Sequence, residues 1–253
     1  MRNLAIFICL LGPCWGAAAQ DTSDEGVTLT LAAAGGITER VIEYEGMSGP
    51  YRLNTGWVPA LGIRLKVASI FDPVLLALSV HYETSVNAVG AQYSPVPDSP
   101  PGLTSIRSHR LEGGVSAAAY FGGHEDPLLA SLFVGYGLRA LGSVADLQVP
   151  RFTLHGPLLR LELKIPLVAR LLWLRLAPEG QLIAYITTAL AREANIDQYG
   201  YAIGGEASVG LQLVEKLALR LEYRESHAFA HSAERDPFND VERYLLLEAR
   251  LIF

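Results

Sequence analysis

The feature that most constrains this chain is a two-residue alternation that returns segment after segment. Leu217, Leu219, Leu221 and Tyr223 alternate with Ala218, Arg220, Glu222 and Arg224. The end of the chain repeats the pattern, with Leu245, Leu247, Ala249, Leu251 and Phe253 set against Glu248 and Arg250. Side chains of an extended strand point alternately to its two faces, so each segment predicts a strand with one apolar and one polar face. Further segments follow the same rule. Leu61, Ile63, Leu65 and Val67 oppose Arg64 and Lys66, and Leu159, Leu161, Leu163 and Ile165 oppose Arg160, Glu162 and Lys164. Val74 to Tyr82 oppose Ser79, His81 and Glu83, Leu111 to Phe121 oppose Arg110, Glu112 and Ser116, and Tyr201 to Leu211 oppose Glu206, Ser208 and Gln212. With weaker segments starting near Val27, Leu128 and Leu171, the chain predicts ten strands. Pro178 and Gly180 in the Leu171 segment predict a bulge or bend.

A soluble β-sandwich also alternates, but the connections do not suit one. Links near Ser69–Pro73, Gly122–Pro127, Pro166–Arg170 and Val214–Lys216 are short. Those near Val41–Gly56, Ala88–Ser105, Gly142–Pro150, Ala189–Gln198 and Phe229–Asp240 are longer, polar and rich in Gly, Pro or acid. Short and long links take turns, as tight periplasmic turns and longer outer loops do in an outer-membrane barrel. Half of the residues are hydrophobic, yet no stretch beyond residue 20 offers the roughly 20 apolar residues of a spanning helix. A closed, antiparallel, up-and-down transmembrane β-barrel of ten strands (eight to twelve as bounds) over residues 27–253 accommodates both facts. The even strand number predicts that both termini lie in the periplasm. Two aromatic girdles are expected at the membrane interfaces: Trp57, Tyr199 and Tyr201 at the outer one, Phe71, Phe121, Trp173 and Phe253 at the inner one.

The first nineteen residues set the expected compartment. Arg2 precedes an apolar run from Leu4 to Leu11, Gly12 and Pro13 break it, and Ala17 and Ala19 place small residues at −3 and −1. These are the parts of a secretory signal peptide cleaved after Ala19. A lipidated Cys14 is the rival, and Pro13 before it does not fit. Residues 20–26 are expected to form a short periplasmic lead-in. Cys9 and Cys14 leave with the signal, so the mature chain has no disulfide, thiolate metal site or thiol nucleophile, and no cofactor is expected. Without Arg2 there remain 19 basic and 26 acidic side chains, a net of −7 that argues against a nucleic-acid partner.

The last eight residues, Leu-Leu-Glu-Ala-Arg-Leu-Ile-Phe, resemble the C-terminal strand of small Gram-negative outer-membrane β-barrel proteins, without the glycine usual upstream. The resemblance implies that Leu251 and Phe253 form the signal read by the barrel-assembly machinery, and that the last strand closes on the first. It implies contact with outer-membrane lipid and lipopolysaccharide. It names no activity, because such barrels host adhesins, enzymes, channels and structural proteins.

The inward list is expected to be Arg64, Lys66, Arg110, Arg139, Arg160, Lys164, Arg175, Arg220, Arg224 and Arg250, against Glu83, Glu112, Glu162, Glu179, Glu206, Glu222 and Glu248. Ten strands enclose a bore only slightly wider than one that side chains fill. A salt-bridged, sealed interior is therefore expected, with a narrow pore favouring anions as the alternative. A third reading is a surface hydrolase, since some ten-stranded outer-membrane barrels are proteases with Asp and His on the outer rim. His227, His231, Glu234, Asp236 and Asp240 invite it, and His227 and His231 share a strand face on which a metal pair is also conceivable. No second acidic pair appears on the other loops. Neither a plug-sized segment before Val27 nor a domain after Phe253 is expected. The tract from Ser94 to Pro101 reads as a stiff extended loop. The expected role is a non-enzymatic structural or scaffold component of the envelope, as a member of a multiprotein assembly.

Overall fold

The computed structural model describes residues 27–46, 49–71, 74–85, 88–94, 102–121, 128–143, 152–168, 171–187, 199–230 and 238–253. The expected signal peptide, the lead-in at 20–26, and His231, Glu234 and Asp236 lie outside them. In chain order the strands are β1 (Val27–Gly46), β2 (Gly49–Asn54), β3 (Val58–Phe71), β4 (Val74–Ser85), β5 (Ala88–Ser94), β6 (Gly102–Phe121) and β7 (Leu128–Ser143). They continue as β8 (Phe152–Val168), β9 (Leu172–Ile183), β10 (Tyr185–Ile186), β11 (Gly200–Val214), β12 (Leu217–Ala230) and β13 (Phe238–Ile252).

Ten of these strands close into an antiparallel ring. From β1 the ring passes through β3, β4, β6, β7, β8, β9, β11, β12 and β13, and β13 returns to β1. The closing seam runs from Thr30 opposite Ile252 to Glu43 opposite Asn239. Its last rung is made by Phe253 N donating to Leu29 O at 2.9 Å and Leu29 N donating to Phe253 O at 3.2 Å. A closed ring leaves no open sheet edge, which is the condition a sheet must meet in hydrocarbon.

The alternation read from the sequence determines which face looks where. Leu217 to Ala230 bury every second residue, Ala218 to Ala230, and β13 does so from Glu242 to Ile252. The other face is an apolar belt in which Leu61, Ile63, Leu78, Val134, Leu161, Leu221 and Leu247 are each at least half exposed. No protein surface this apolar is stable in water, and lipid is the solvent that fits it.

The two ends of the barrel differ. At the turn end the ring strands reverse within a few residues, as at Glu215 and Lys216. At the loop end the wall continues upward, against expectation. Much of Val41–Gly56 is strand, with β1 running on to Gly46 and β2 folding back on it. β5 likewise occupies the start of Ala88–Ser105 and pairs with both β2 and β6. The physical reason is core formation. Ile42, Tyr44, Leu53 and Ile106 turn inward and are at most 4% exposed, so these segments gain apolar burial by staying in the sheet. Where Pro178 sits in β9 the ladder to β8 skips from Arg160–Glu179 to Leu163–Leu176, because proline has no N–H to donate.

Candidate functional site

Among the described residues the lumen is where charged side chains gather, and it is layered. At the loop end Ile42, Tyr44, Leu53, Ile106, Leu141, Phe152, Leu154, Ile183, Ile186 and Phe238, with alanines of β11 and β12, form one apolar cluster. Its members come from β1, β2, β6 and every later strand, so it crosses the bore. Phe152 and Phe238 meet edge to face, with ring centroids 6.0 Å apart. Beneath it Arg40 grips Asp240 in a fork, with Nε to Oδ1 at 2.8 Å and Nη2 to Oδ2 at 2.7 Å. Arg40 also donates to Ala140 O, and its guanidinium lies 5.1 Å from the centre of the Phe152 ring.

Next comes an ion-pair network that spans the bore. Arg110 and Arg160 share Glu112 and Glu179, the Arg160 Nη2 contacts being 2.6 and 2.7 Å. Arg139 reaches Glu179 only at 3.9 Å. Arg224, fully buried, faces Glu83, Glu222 and Glu206 at 3.1, 3.1 and 3.3 Å. Arg220 holds Glu222 and Glu248 at 2.6 and 2.8 Å, and Arg64 reaches across from β3 to Glu222 at 2.6 Å. Arg250 meets Glu248 at 2.8 Å, while Arg175 binds Glu162 at 2.7 Å and also Glu206. Charges buried this far from water are tolerated only when each has close partners of opposite sign; removing one partner typically costs about 3–5 kcal/mol.

Towards the turn end the composition changes. Ala68, Leu75, Ala77, Ala118, Leu129 and Ile252 form a second apolar cluster, drawn from β3, β4, β6, β7 and β13. The opposite arc carries Lys66, Lys164 and Trp173 around a cavity. Trp173 corrects an expectation: it is not in the inner girdle but points into the lumen, 4% exposed, with Lys164 Nζ 4.8 Å above its ring. The cause is the alternation of β9, which puts Trp173 on the same face as Arg175, Ala177 and Glu179, and its cross-strand neighbour Gly210 leaves the ring room. A Cβ there would lie 1.9 Å from the indole, so glycine makes the space in which the ring lies flat against the wall.

The other residues expected in the girdles, Phe71 apart, face outward. Trp57, Tyr199 and Tyr201 lie at the loop end and Phe121 and Phe253 at the turn end, all at least 44% exposed. Phe71 ends β3, and its side chain is outside the described residues. The loop-end belt also includes Tyr82 and Tyr136, whose hydroxyls pair with His109 and His155 at 2.9 and 2.6 Å. Leu251 points to lipid beside Phe253.

Of the rim constellation, the two members among the described residues do not come together. Asp240 belongs to β13 rather than to a loop, points into the lumen and is held by Arg40. His227 lies on the outer face of β12, where Glu225 is 2.8 Å away and Phe229 stacks on it. Their strands pair in a register that sets Ala228, not His227, opposite Asp240. The two side chains therefore stand on opposite faces of one wall and cannot share a proton. Among the described residues no three His, Cys, Asp or Glu side chains are placed to hold a metal ion.

Arg40, Asp240 and Glu242 are the lumen charges that sequence reasoning missed. Counting back by twos from Glu248 reaches Glu242 and Asp240, so parity held the signal. Leu246 and Tyr244, inward but apolar or aromatic, hid it.

No protein-family model matches the chain, and no curated protein matches it in sequence. Solved structures do match in shape. The outer membrane protease OmpT from Escherichia coli aligns over 92% of this chain and 98% of its own, at 8% identity and a TM-score of 0.47. Neisserial surface protein A aligns over 90% and 99%, at 11% identity and 0.36. An outer membrane channel from Pseudomonas putida F1 aligns over 92% and 97%, at 11% and 0.42. By its own strand pairing this chain is a closed, ten-stranded antiparallel β-barrel. The likeness is one of fold alone, since the matched structures carry different roles.

Proposed function

We propose that the barrel is a non-enzymatic, non-conducting component of the outer membrane that serves the envelope as a structural scaffold. One observation carries the reading: the loop-end mouth is crossed by an apolar cluster that rests on a paired charge layer. An ion entering there would have to shed its water among Ile42, Phe152, Leu154 and Phe238, with Arg40 beside Phe152 already bound to Asp240. A barrel closed in this way acts through its outer surface and its rims.

In this reading the loop end faces outward and both termini face the periplasm, as the contrast between extended hairpins and short turns supports. Lipid and lipopolysaccharide contact the belt, Leu251 and Phe253 present the strand that the assembly machinery reads, and other envelope proteins are the partners. Planar-bilayer recording is the test. The closed barrel is expected to give no steady unitary current, and well-resolved single-channel steps would refute it. Crosslinking in intact cells followed by gentle solubilisation tests the scaffold role, which recovery of the barrel alone would refute.

A further inference from the structure

The turn-end half of the lumen contains a cavity of about 110 Å³ whose wall is chemically one-sided. Arg64 and Lys66 of β3, Lys164 of β8, Arg175 of β9, Arg220 of β12 and Arg250 of β13 all contribute to it. Among the described residues its only carboxylate is Glu162, which is already bound by Arg175. Lys66 has no salt bridge within 4.0 Å among the described residues, although it is mostly buried. The guanidinium donors Arg64 Nε, Arg175 Nε, and Arg250 Nε and Nη1 also have no hydrogen-bond partner there. Guanidinium donors without a hydrogen-bond partner also occur elsewhere in the bore, at Arg110 Nη1, Arg139 Nη1 and Arg224 Nε, but there several carboxylates stand among them, whereas among the described residues this cavity has Glu162 alone.

We propose that this cavity binds an oxyanion of the phosphate class. Three observations support that choice. About 10–15 Å³ of such space holds one water, so the cavity accommodates a tetrahedral oxyanion with room for solvent. Planar guanidinium forks and lysine ammonium groups are the side chains that match phosphate oxygens. The apolar cluster crosses the loop end of the bore, so in this proposal the anion reaches the cavity from the turn end.

The phosphate comes either free from solution or on a lipid headgroup, and one experiment separates the two. Inorganic phosphate is titrated calorimetrically into the folded mature barrel in zwitterionic detergent at low ionic strength, alongside a water-soluble short-chain acyl phosphate monoester. Saturable binding of inorganic phosphate is expected, weakened about tenfold by Lys66→Gln, as loss of one charge-assisted contact requires. Arg52→Gln, on the exposed surface of β2 where Arg52 pairs with Glu43, should leave it unchanged. Tighter binding of the acylated ester identifies a lipid phosphate as the natural source, and equal or weaker binding identifies free phosphate. Gel mobility without boiling checks that each variant is folded. No saturable binding of either probe to the wild-type barrel overturns the proposal. Binding that Lys66→Gln leaves intact in a folded barrel overturns it equally.

Discussion

The fork between Arg40 and Asp240 offers a quantitative check on how the lumen is held. Arg40 makes two charge-assisted bonds of 2.8 and 2.7 Å to Asp240 and a third to Ala140 O, in a site where both residues are at most 1% exposed. Arg40→Met removes all three and strands the Asp240 carboxylate without water. Truncating one partner of such a pair costs about 3–5 kcal/mol, a factor of roughly a hundred to a few thousand in the folding equilibrium. Asp240→Leu strands the guanidinium and should cost a similar amount, softened by Glu242 at 3.8 Å. The double variant strands neither. Its methionine lies against Phe152, and its leucine extends the apolar cluster above. It should therefore be no less stable than the milder single variant. Urea unfolding from lipid vesicles, followed by tryptophan fluorescence and by gel mobility without boiling, supplies the free energies. Additive losses, with the double variant falling by the sum of the singles, would refute the claim that the layer is stabilised by mutual pairing.

Three more predictions follow from the layering. Phe152→Ala hollows the loop-end cluster and should cost about 3–5 kcal/mol, whereas lipid-facing Phe121→Ala should cost far less; equal costs measured by the same unfolding assay would contradict the inward placement. Leu221→Arg puts a charge on the lipid face of β12 and should destabilise the barrel by about 2–4 kcal/mol if Leu221 lies near the bilayer midplane; a change below about 1 kcal/mol would place it at an interface. Intact-mass analysis of the exported protein should find a chain beginning at Gln20, while an acylated Cys14 would overturn the signal-peptide reading.

The strands were legible because lipid and lumen impose opposite chemistry on alternate residues, and β12 and β13 wear that contrast openly. Legibility failed where the lumen itself turns apolar. In the upper parts of β1 and β13, Ile42, Tyr44, Tyr244 and Leu246 point inward and erase the two-letter pattern. Arg40, Asp240 and Glu242 were lost with it, and the wall above them read as loop. Trp173 failed for a different reason. Its direction follows the alternation of β9, in which it lies two residues before the inward Arg175, but an aromatic residue near a strand end reads as a girdle residue against that parity; Gly210 on β11 supplies only the room for its ring. Loop-end Asp240 and His227 are near in sequence and in space, yet the wall between their side chains separates them; only the register shows it.

The arginine network also bears on how the barrel reaches its final form. Arg64 and Glu222 are 158 residues apart in the chain, Arg40 and Asp240 200 apart, and Arg110 and Glu179 69 apart. The first two pairs bridge the β1–β13 seam and cannot form before it closes, whereas Arg110 of β6 and Glu179 of β9 lie on one run of consecutive strands. An open intermediate would present Arg40, Arg64, Glu222 and Asp240 to whatever lies nearby, and the ring with its seam joined pairs them. The interior charges thus act as a checksum on closure, rewarding the correct strand order and register and penalising every slipped one.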